Sequence, residues 1–453
     1  MRKVLVIGYV WPEPRSSAAG SRMLELLGVF RGEGWHVTFA SAAALSSHRA
    51  DLSELQIEEV AVALNCDSFD GFVAQLQPDL VLFDRFFTEE QFAWRVERAW
   101  PTALRVLDTS DLHCLRDTRH ALLKANQQAC ANETERYQVG PVQATPQVLY
   151  EVMADSDMAQ REVAAIYRCD LTLMISSFEM ALLQGHFGVP AALLHECALM
   201  LIPPTHNALP FAERQHFLSI GNFRHAPNWD AVLWLKHALW PLIRARLPQA
   251  QLHVYGAYPP PKATALHNPK QGFHVLGWVD DAHRVMAQAR VCLAPLRFGA
   301  GIKGKLADAM ACGTPSITTP IGSEGMHGEL PWPGSVAADA HAFADAAVQF
   351  YQDEDRWAQA QQQGHVLLDS RFDRGRLGEA LIARLEGLLM NREQHRRGNF
   401  IGAMLRHHQH KSTQYMSQWI AAKNAATTQK LKADSKSAER SSPPQTDVTN
   451  LAS

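Results

Sequence analysis

The chain has 453 residues, of which 47% are hydrophobic and 20% charged, with a formal net charge of −3 at pH 7. That length predicts two or three domains with a core that needs no disulfide or metal staple, and the near-neutral balance gives no reason to expect nucleic acid as the main partner. Cys66, Cys114, Cys130, Cys169, Cys197, Cys292 and Cys312 form no C-x-x-C and no framework spacing, so they read as reduced thiols of a cytoplasmic protein.

The opening "MRKVLVIGYVW" carries a short apolar run that leads into Pro12 and Pro14 without a small-residue cleavage site, and it reads as a strand rather than a signal peptide. No run of eighteen apolar residues follows, so no span is expected, and the chain is placed in the cytoplasm or peripherally on the cytoplasmic membrane face. "KVLVIG", "WHVTFASA", "PDLVLFDR", "ALRVLD" and "CDLTLMIS" alternate with helix-period segments. This pattern predicts a parallel sheet covered by helices on both faces, over residues 1–202. "PPTHNALP" reads as a linker over 203–214.

The alternation then restarts over 215–390, with strands "HFLSIG", "QLHVYG", "FHVLG", "RVCLAPL" and "SITTPIG". "PNWDAVLWLKHALWPLI" reads as a helix capped by Asn228, with Val232, Leu235, Leu239 and Leu242 on one face. The fold expected is α/β, two doubly wound Rossmann-like domains facing a central cleft, with helices after about 339. Residues 391–453 read as a basic tail, helical at first and disordered beyond 426. Within it "NFIGAMLRHHQHKSTQYMSQWIAAK" has Phe400, Met404, Tyr415 and Trp419 at helical spacing. It reads as a helix packed on the body, with contact to an anionic inner membrane surface as the alternative.

The run "RFGAGIKGKLADAMACGTPS" satisfies two templates. Gly299, Gly301 and Gly304 fit the dinucleotide fingerprint G-x-G-x-x-G, and Gly299, Gly304 and Lys305 fit most of the phosphate loop of nucleotide hydrolases. Leu306 stands where the hydrolase loop needs a magnesium-binding hydroxyl, which removes that mechanism. Glu324 falls about twenty residues after the last glycine, as a ribose-binding acid would, yet the loop follows a late strand of its domain rather than the first. What remains is the physics: a glycine loop, a helix start near Lys303, and a second cation at Lys305 make a phosphate site.

"PLRFGAGIKGKLADAMACGTPSITTPIGSEGM" resembles the C-terminal signature of retaining nucleotide-sugar glycosyltransferases of the B-type fold, the family-4-like group. "FLSIGNFRHAPNWDAVLWL", "VLGWVDDAHRVMAQARVCLAPL", "VLDTSDLHCLRDTRHALLK" and "CDLTLMISSFEMALLQ" extend the resemblance over roughly residues 1–390. It implies a nucleoside diphosphate sugar as donor substrate, no cofactor and no metal, and a glycan, lipid-linked or small-molecule acceptor held by the first domain.

The resemblance also implies roles. Lys303 and Lys305, with Arg224, would stabilise the leaving diphosphate, and Asp308 would bind the donor ribose. The group commonly has two Glu residues here with seven residues between them, where this chain has Ala300 and Asp308, and Asn222 stands at a usual Arg. Gly301 belongs to the phosphate loop. Gly322 and Ser323 would offer backbone donors and Glu324 would hold sugar hydroxyls. In the first domain Gly20 would close over the phosphate with Arg22 assisting, and His113 would stand near the reacting sugar, with Asp108 and Asp111 as alternatives. "RHHQH" at 406–410 and "HEC" at 195–197 lack metal-site spacing. The rival reading is a non-catalytic homologue that binds or scaffolds.

Overall fold

The computed structural model describes residues 1–201 and 208–440, with side chains other than those of 408–411 and 429–440. The first sheet is built from β1 (Lys3–Gly8), β2 (His36–Ser41), β3 (Glu58–Ala61), β4 (Leu80–Asp84), β5 (Leu104–Asp108), β6 (Leu171–Met174) and β7 (Leu194–Glu196). The second contains β8 (Gln215–Ile220), β9 (Leu252–Tyr255), β10 (Phe273–Gly277), β11 (Ala289–Ala294), β12 (Ser316–Thr318) and β13 (Gly334–Val336). Strand orders are 3-2-1-4-5-6-7 and 10-9-8-11-12-13, with every pairing parallel. Each order reverses once, between β1 and β4 and between β8 and β11. The reversal opens a crevice at the carboxyl ends of those strands, which is where doubly wound sheets bind ligands.

The helices that matter for the site are α1 (Ala18–Gly32), α2 (Arg85–Ala99), α3 (His113–Gln128), α4 (Asp157–Arg168) and α5 (Ser177–Gly185) in the first domain. The second domain contributes α6 (Ala226–Trp234), α7 (Gly304–Ala311) and α8 (Glu354–Arg371). Helices α9 (Arg374–Gly398) and α10 (Phe400–Arg440) follow. The apolar runs Val4–Ile7 of β1 and Leu80–Phe83 of β4 bury both faces, and separate cores line the two faces of the first sheet.

Two boundaries differ from the sequence reading. The second domain does not run to 390: Leu381, Leu385 and Leu388 of α9 sit in the core beneath β1, β2 and β4, and Arg2 pairs with Glu386 at 2.7 Å. An apolar stripe specifies that a helix packs, but not on which sheet. The return crossing lies beside the outward one, since Leu201 N–H donates to Phe372 C=O and Arg374 N–H to Leu201 C=O. Residues 203–207 of the expected linker, 203–214, lie outside the described residues, as does the tail from 441. Helix α10 continues to Arg440, past the expected end of order at 426, through a stretch rich in Ala, Lys and Gln.

Asn228 does not cap α6. It lies in the first turn, donates to the Asn222 carbonyl at 3.1 Å and accepts from Lys305. The helical run then widens into a π-type turn at Leu235–Leu239, just before Pro241, whose ring and missing N–H an α-helical interior would not accept. The apolar face is as expected, with Val232, Leu235 and Leu239 buried.

His216, His253 and His274 stand side by side on β8, β9 and β10, with ring centroids 3.9 and 5.4 Å apart. One ring nitrogen of each is buried without a hydrogen-bond partner. Burial, with His253 and His274 adding to it, pushes the His216 imidazolium down to about 4, and His253 and His274 shift the same way. His267 and Arg244 add positive charge beside His274. The unfolded chain therefore takes up protons at a higher pH than the folded one. Stability is full above pH 6.5 and is lost as the pH falls from there towards about 4. The midpoint of thermal unfolding is expected to fall over that interval and to fall less in His216→Gln; equal slopes for the two proteins would contradict the assignment.

Candidate active site

The loop after β11 carries the phosphate-site residues. Gly301 has φ of 63°, in the left-handed region, and a Cβ there would lie 2.8 Å from the Asp111 side chain. Glycine is thus required both by the turn and by the close approach of the first domain. The chain then enters α7 with Lys303 at its cap position. A Cβ on Gly304, the first residue of α7, would lie 2.8 Å from the Cβ of Ala18, the first residue of α1. Two helix starts, one from each domain, therefore meet across the cleft, and each brings roughly half a positive charge.

The two lysines sit at this junction. Lys303 is buried, with Nζ donating to Gly301 C=O at 2.7 Å, and Lys305 Nζ donates to Asn228 Oδ1 at 2.7 Å. Loss of water pulls both ammonium groups down to about 8; for Lys303 Arg119 works in the same direction while Glu324, Glu179 and Asp111 oppose it. Two desolvated cations beside two helix starts form a site that a diphosphate would complete.

Asp308 lies on the same helix, half-exposed, 3.4 Å from His283 Nε2, and this hydrogen bond raises the His283 pKa. Its carboxylate stays accessible to a pair of hydroxyls. Arg224 is at the rim, with its guanidinium carbon 3.7 Å from the centroid of the Tyr258 ring, and Tyr258 OH donates to Glu13 of the first domain at 3.1 Å. Asn222 Nδ2 donates to Ser16 C=O at 3.3 Å, a second link between the loop after β8 and the loop before α1.

Several expected contributors are occupied otherwise. The Gly20 amide donates to the Ser17 hydroxyl that caps α1, and a Cβ on Gly20 would strike the Glu13 backbone at 2.4 Å, so Gly20 shapes the loop rather than offering a donor. Gly322 N–H donates to the backbone and hydroxyl oxygens of Thr319, and Ser323 N–H to the Thr319 carbonyl, which corrects the expectation of free amides there. A short turn satisfies its own donors, and the loop's sequence does not reveal it. Arg22 is buried, bonded to Asp108 at 2.8 Å and to the carbonyls of Cys197 and Ala198, so this pair holds the domain together and does not reach a ligand.

His113 opens α3. Its Nδ1 is 3.2 Å from the Asp111 carbonyl and 3.5 Å from Glu162 Oε1, and its ring meets the edges of Phe86 and Phe87. Burial works against its charge, but the hydrogen bond to Glu162 and the charges of Asp111 and Glu162 prevail and raise its pKa. His113, wedged between carboxylates, accordingly holds a proton more readily than a free imidazole. Glu162 also accepts from the amides of His113 and Cys114 at 3.0 and 2.9 Å, which fixes the start of α3.

Two residues that the sequence reading did not single out join the halves of the site. Arg119 of α3 is buried and forms a bidentate pair with Glu324 at 2.8 and 2.7 Å, while also donating to Gly299 C=O at 2.8 Å. Glu179 of α5 is buried, and its Oε1 accepts from Leu112 N–H at 3.1 Å and Gly301 N–H at 2.7 Å, one from each domain. Its Oε2 has no partner, and burial, reinforced by Asp111, raises its pKa. Arg119 was legible only as six residues beyond His113 on the same helix; Glu179 had no signal beyond a polar residue in "SSFEMALLQ".

A cavity of about 370 Å³ opens beside the Arg119–Glu324 pair, lined also by Gln143, Thr145 and Ile321. Among the described residues no group of His, Cys, Asp or Glu is placed to hold a metal ion.

Comparison with known proteins places this geometry. Residues 214–353 match the family model described as glycosyl transferases group 1. No curated protein matches the sequence. Among solved structures, sucrose-phosphate synthase from Thermosynechococcus elongatus superposes with a TM-score of 0.59 at 15% identity, over 86% of this chain and 100% of that one. Anabaena HepE, solved with UDP and glucose, gives 0.58 at 13% identity over 85% and 100%. OtsA gives 0.56 at 10% identity over 85% and 99%. The chain therefore has the two-domain B-type glycosyltransferase fold, and the match to the glycosyl transferases group 1 model falls within its second domain.

Proposed function

We propose that this chain transfers a sugar from a nucleoside diphosphate donor to a glycan, lipid-linked or small-molecule acceptor, with retention of configuration. The observation that carries this reading is the meeting of the α1 and α7 starts at Ala18 and Gly304 beside Lys303 and Lys305. The charge that develops on a departing diphosphate needs fixed positive groups of this kind, already in place before the bond breaks. The reading needs no cofactor or metal.

Lys303 and the α7 start neutralise the leaving diphosphate, with Lys305 and the α1 start adding to the field. Asp308 accepts from the ribose hydroxyls. Glu324, oriented by Arg119, accepts from the donor sugar, and His113 donates to a sugar oxygen. The cavity between residues 142–145 and the 320–324 loop receives the acceptor. Paired crossings at Leu201 and Phe372–Arg374 give the domains a common hinge for closing over the donor and excluding water.

A panel of nucleoside diphosphate sugars, assayed for donor hydrolysis and for transfer to simple acceptors, tests the reading. Turnover of one donor by the wild type supports it. Binding without turnover would favour the scaffolding homologue, whose support is the departure from the common pattern at Asn222 and Asp308. Asp308→Ala is expected to weaken donor binding by about tenfold to a hundredfold, the equivalent of roughly 1.5–3 kcal/mol for hydrogen bonds to a charged group. Titration calorimetry with the active donor measures it, and unchanged affinity would remove Asp308 from the nucleoside site.

A further inference from the structure

Helix α10 has one face fixed and one face bare. Gly402 lets it approach the body, because a Cβ there would lie 2.1 Å from the Tyr167 carbonyl. Leu405 packs on the first-domain core, Arg406 pairs with Glu97 at 3.4 Å, and Ser417 bridges Asn65 and Arg95 at 3.0 Å each. On the other side Phe400, Ile401, Met404, Tyr415, Met416 and Trp419 are exposed, between 45% and 77%. At 3.6 residues per turn, Phe400, Ile401, Met404, Tyr415 and Trp419 fall within an arc of about 100°. A bare strip of that size on a helix already docked to the body has not been left over from folding the domain.

The charge around the strip selects its occupant. No Asp or Glu occurs from Gln394 through Ala433, whereas Arg397, Lys411, Lys423, Lys430 and Lys432 do. Arg397 is strongly exposed, with Glu393 at 3.9 Å the nearest anion before the strip, and Lys423 Nζ lies 5.2 Å from the Trp419 ring centroid. A second copy of the same strip would bring like charges together. An apolar, aromatic face in a stretch where cations outnumber anions matches a surface that is hydrocarbon beneath and negatively charged above.

We propose that the exposed face of α10 docks the protein onto an anionic lipid bilayer, with Phe400, Met404, Tyr415 and Trp419 entering the headgroup boundary and the flanking Lys and Arg side chains meeting lipid phosphates. This stands on α10 alone, independently of the donor reading. Among the described residues no helix is long and apolar enough to cross a membrane, so the proposed contact is with the surface.

Co-sedimentation of the full chain with vesicles of phosphatidylcholine, with and without one third phosphatidylglycerol, tests it. The wild type is expected to partition about tenfold more strongly onto the anionic vesicles, with a loss at high salt. Phe400→Ser/Met404→Ser/Trp419→Ser is expected to lose about tenfold or more of that binding at an unchanged unfolding midpoint, since all three side chains are exposed. Equal partition onto both vesicles, no binding, or full retention in the triple variant overturns the proposal. So does light scattering that shows a wild-type dimer dissociated by the variant, which would make the strip a contact between copies.

Discussion

Lys303→Ala is expected to lower donor turnover by roughly a hundredfold to a thousandfold, the usual consequence of removing one preplaced charge from a developing anion. Lys303 Nζ is held over the glycine loop by Gly301 C=O and lies where both helix starts converge. Lys305 is bonded to Asn228 and does not move into its place. The same account sets a pH limit. Burial lowers the Lys303 pKa to about 8, so the cation is present below that value and lost above it. In the free protein kcat/KM for the donor is expected to decline as the pH rises through about 8, and Lys303→Arg is expected to flatten the decline, because a guanidinium stays charged. A rate in Lys303→Ala within a few-fold of the wild type would place the diphosphate elsewhere.

Arg119→Ala is expected to have the second large effect, on stability and turnover together. Arg119 is buried and supplies three hydrogen bonds, two to Glu324 and one to Gly299 C=O. Its removal leaves the mostly buried Glu324 without its cation, and breaking one partner of a buried pair costs up to about 3–5 kcal/mol, reduced here by the cavity that opens beside Glu324. It also frees Glu324 from the orientation the proposed sugar contact needs. The unfolding midpoint should drop by several degrees and turnover by roughly a hundredfold. Arg119→Lys should restore part of the stability through a single bond but not the two-pronged orientation. A double-mutant cycle with Glu324→Gln measures the coupling. If the two substitutions add without interaction, the pair does not act as a unit.

Both predictions rest on features that the sequence discloses unequally. The alternating apolar runs give both sheets because buried parallel strands must be apolar on both faces. "GAGIKGK" announces a phosphate site because glycine backbone, a helix start and lysines have no better common use. Lys303 at the cap of α7 and Asp308 five residues on therefore stand where that reading puts them.

Arg119, Glu162 and Glu179 could not be found in the same way. Each acts on a partner far along the chain, Arg119 on Glu324 and Glu179 on Gly301, and their pairing is a product of the domain arrangement rather than of local pattern. Arg22 shows the reverse error: it lies near the start of α1, beside the expected phosphate site, yet its side chain turns back to Asp108. For α9 the periodicity of Leu381, Leu385 and Leu388 specifies a buried stripe, but only the paired crossings at Leu201 and Arg374 return that stripe to the first sheet.

The central claim is that a nucleoside diphosphate sugar is held where α1 and α7 meet. Thermal unfolding of the wild type and of Lys303→Ala against a panel of nucleoside diphosphate sugars tests it most directly. A ligand present at a hundred times its Kd should stabilise the wild type by about 2.7 kcal/mol, which shifts the midpoint by several degrees. The account predicts such a shift for at least one donor in the wild type and its loss in Lys303→Ala. No shift with any donor, or the same shift in both proteins, would contradict it.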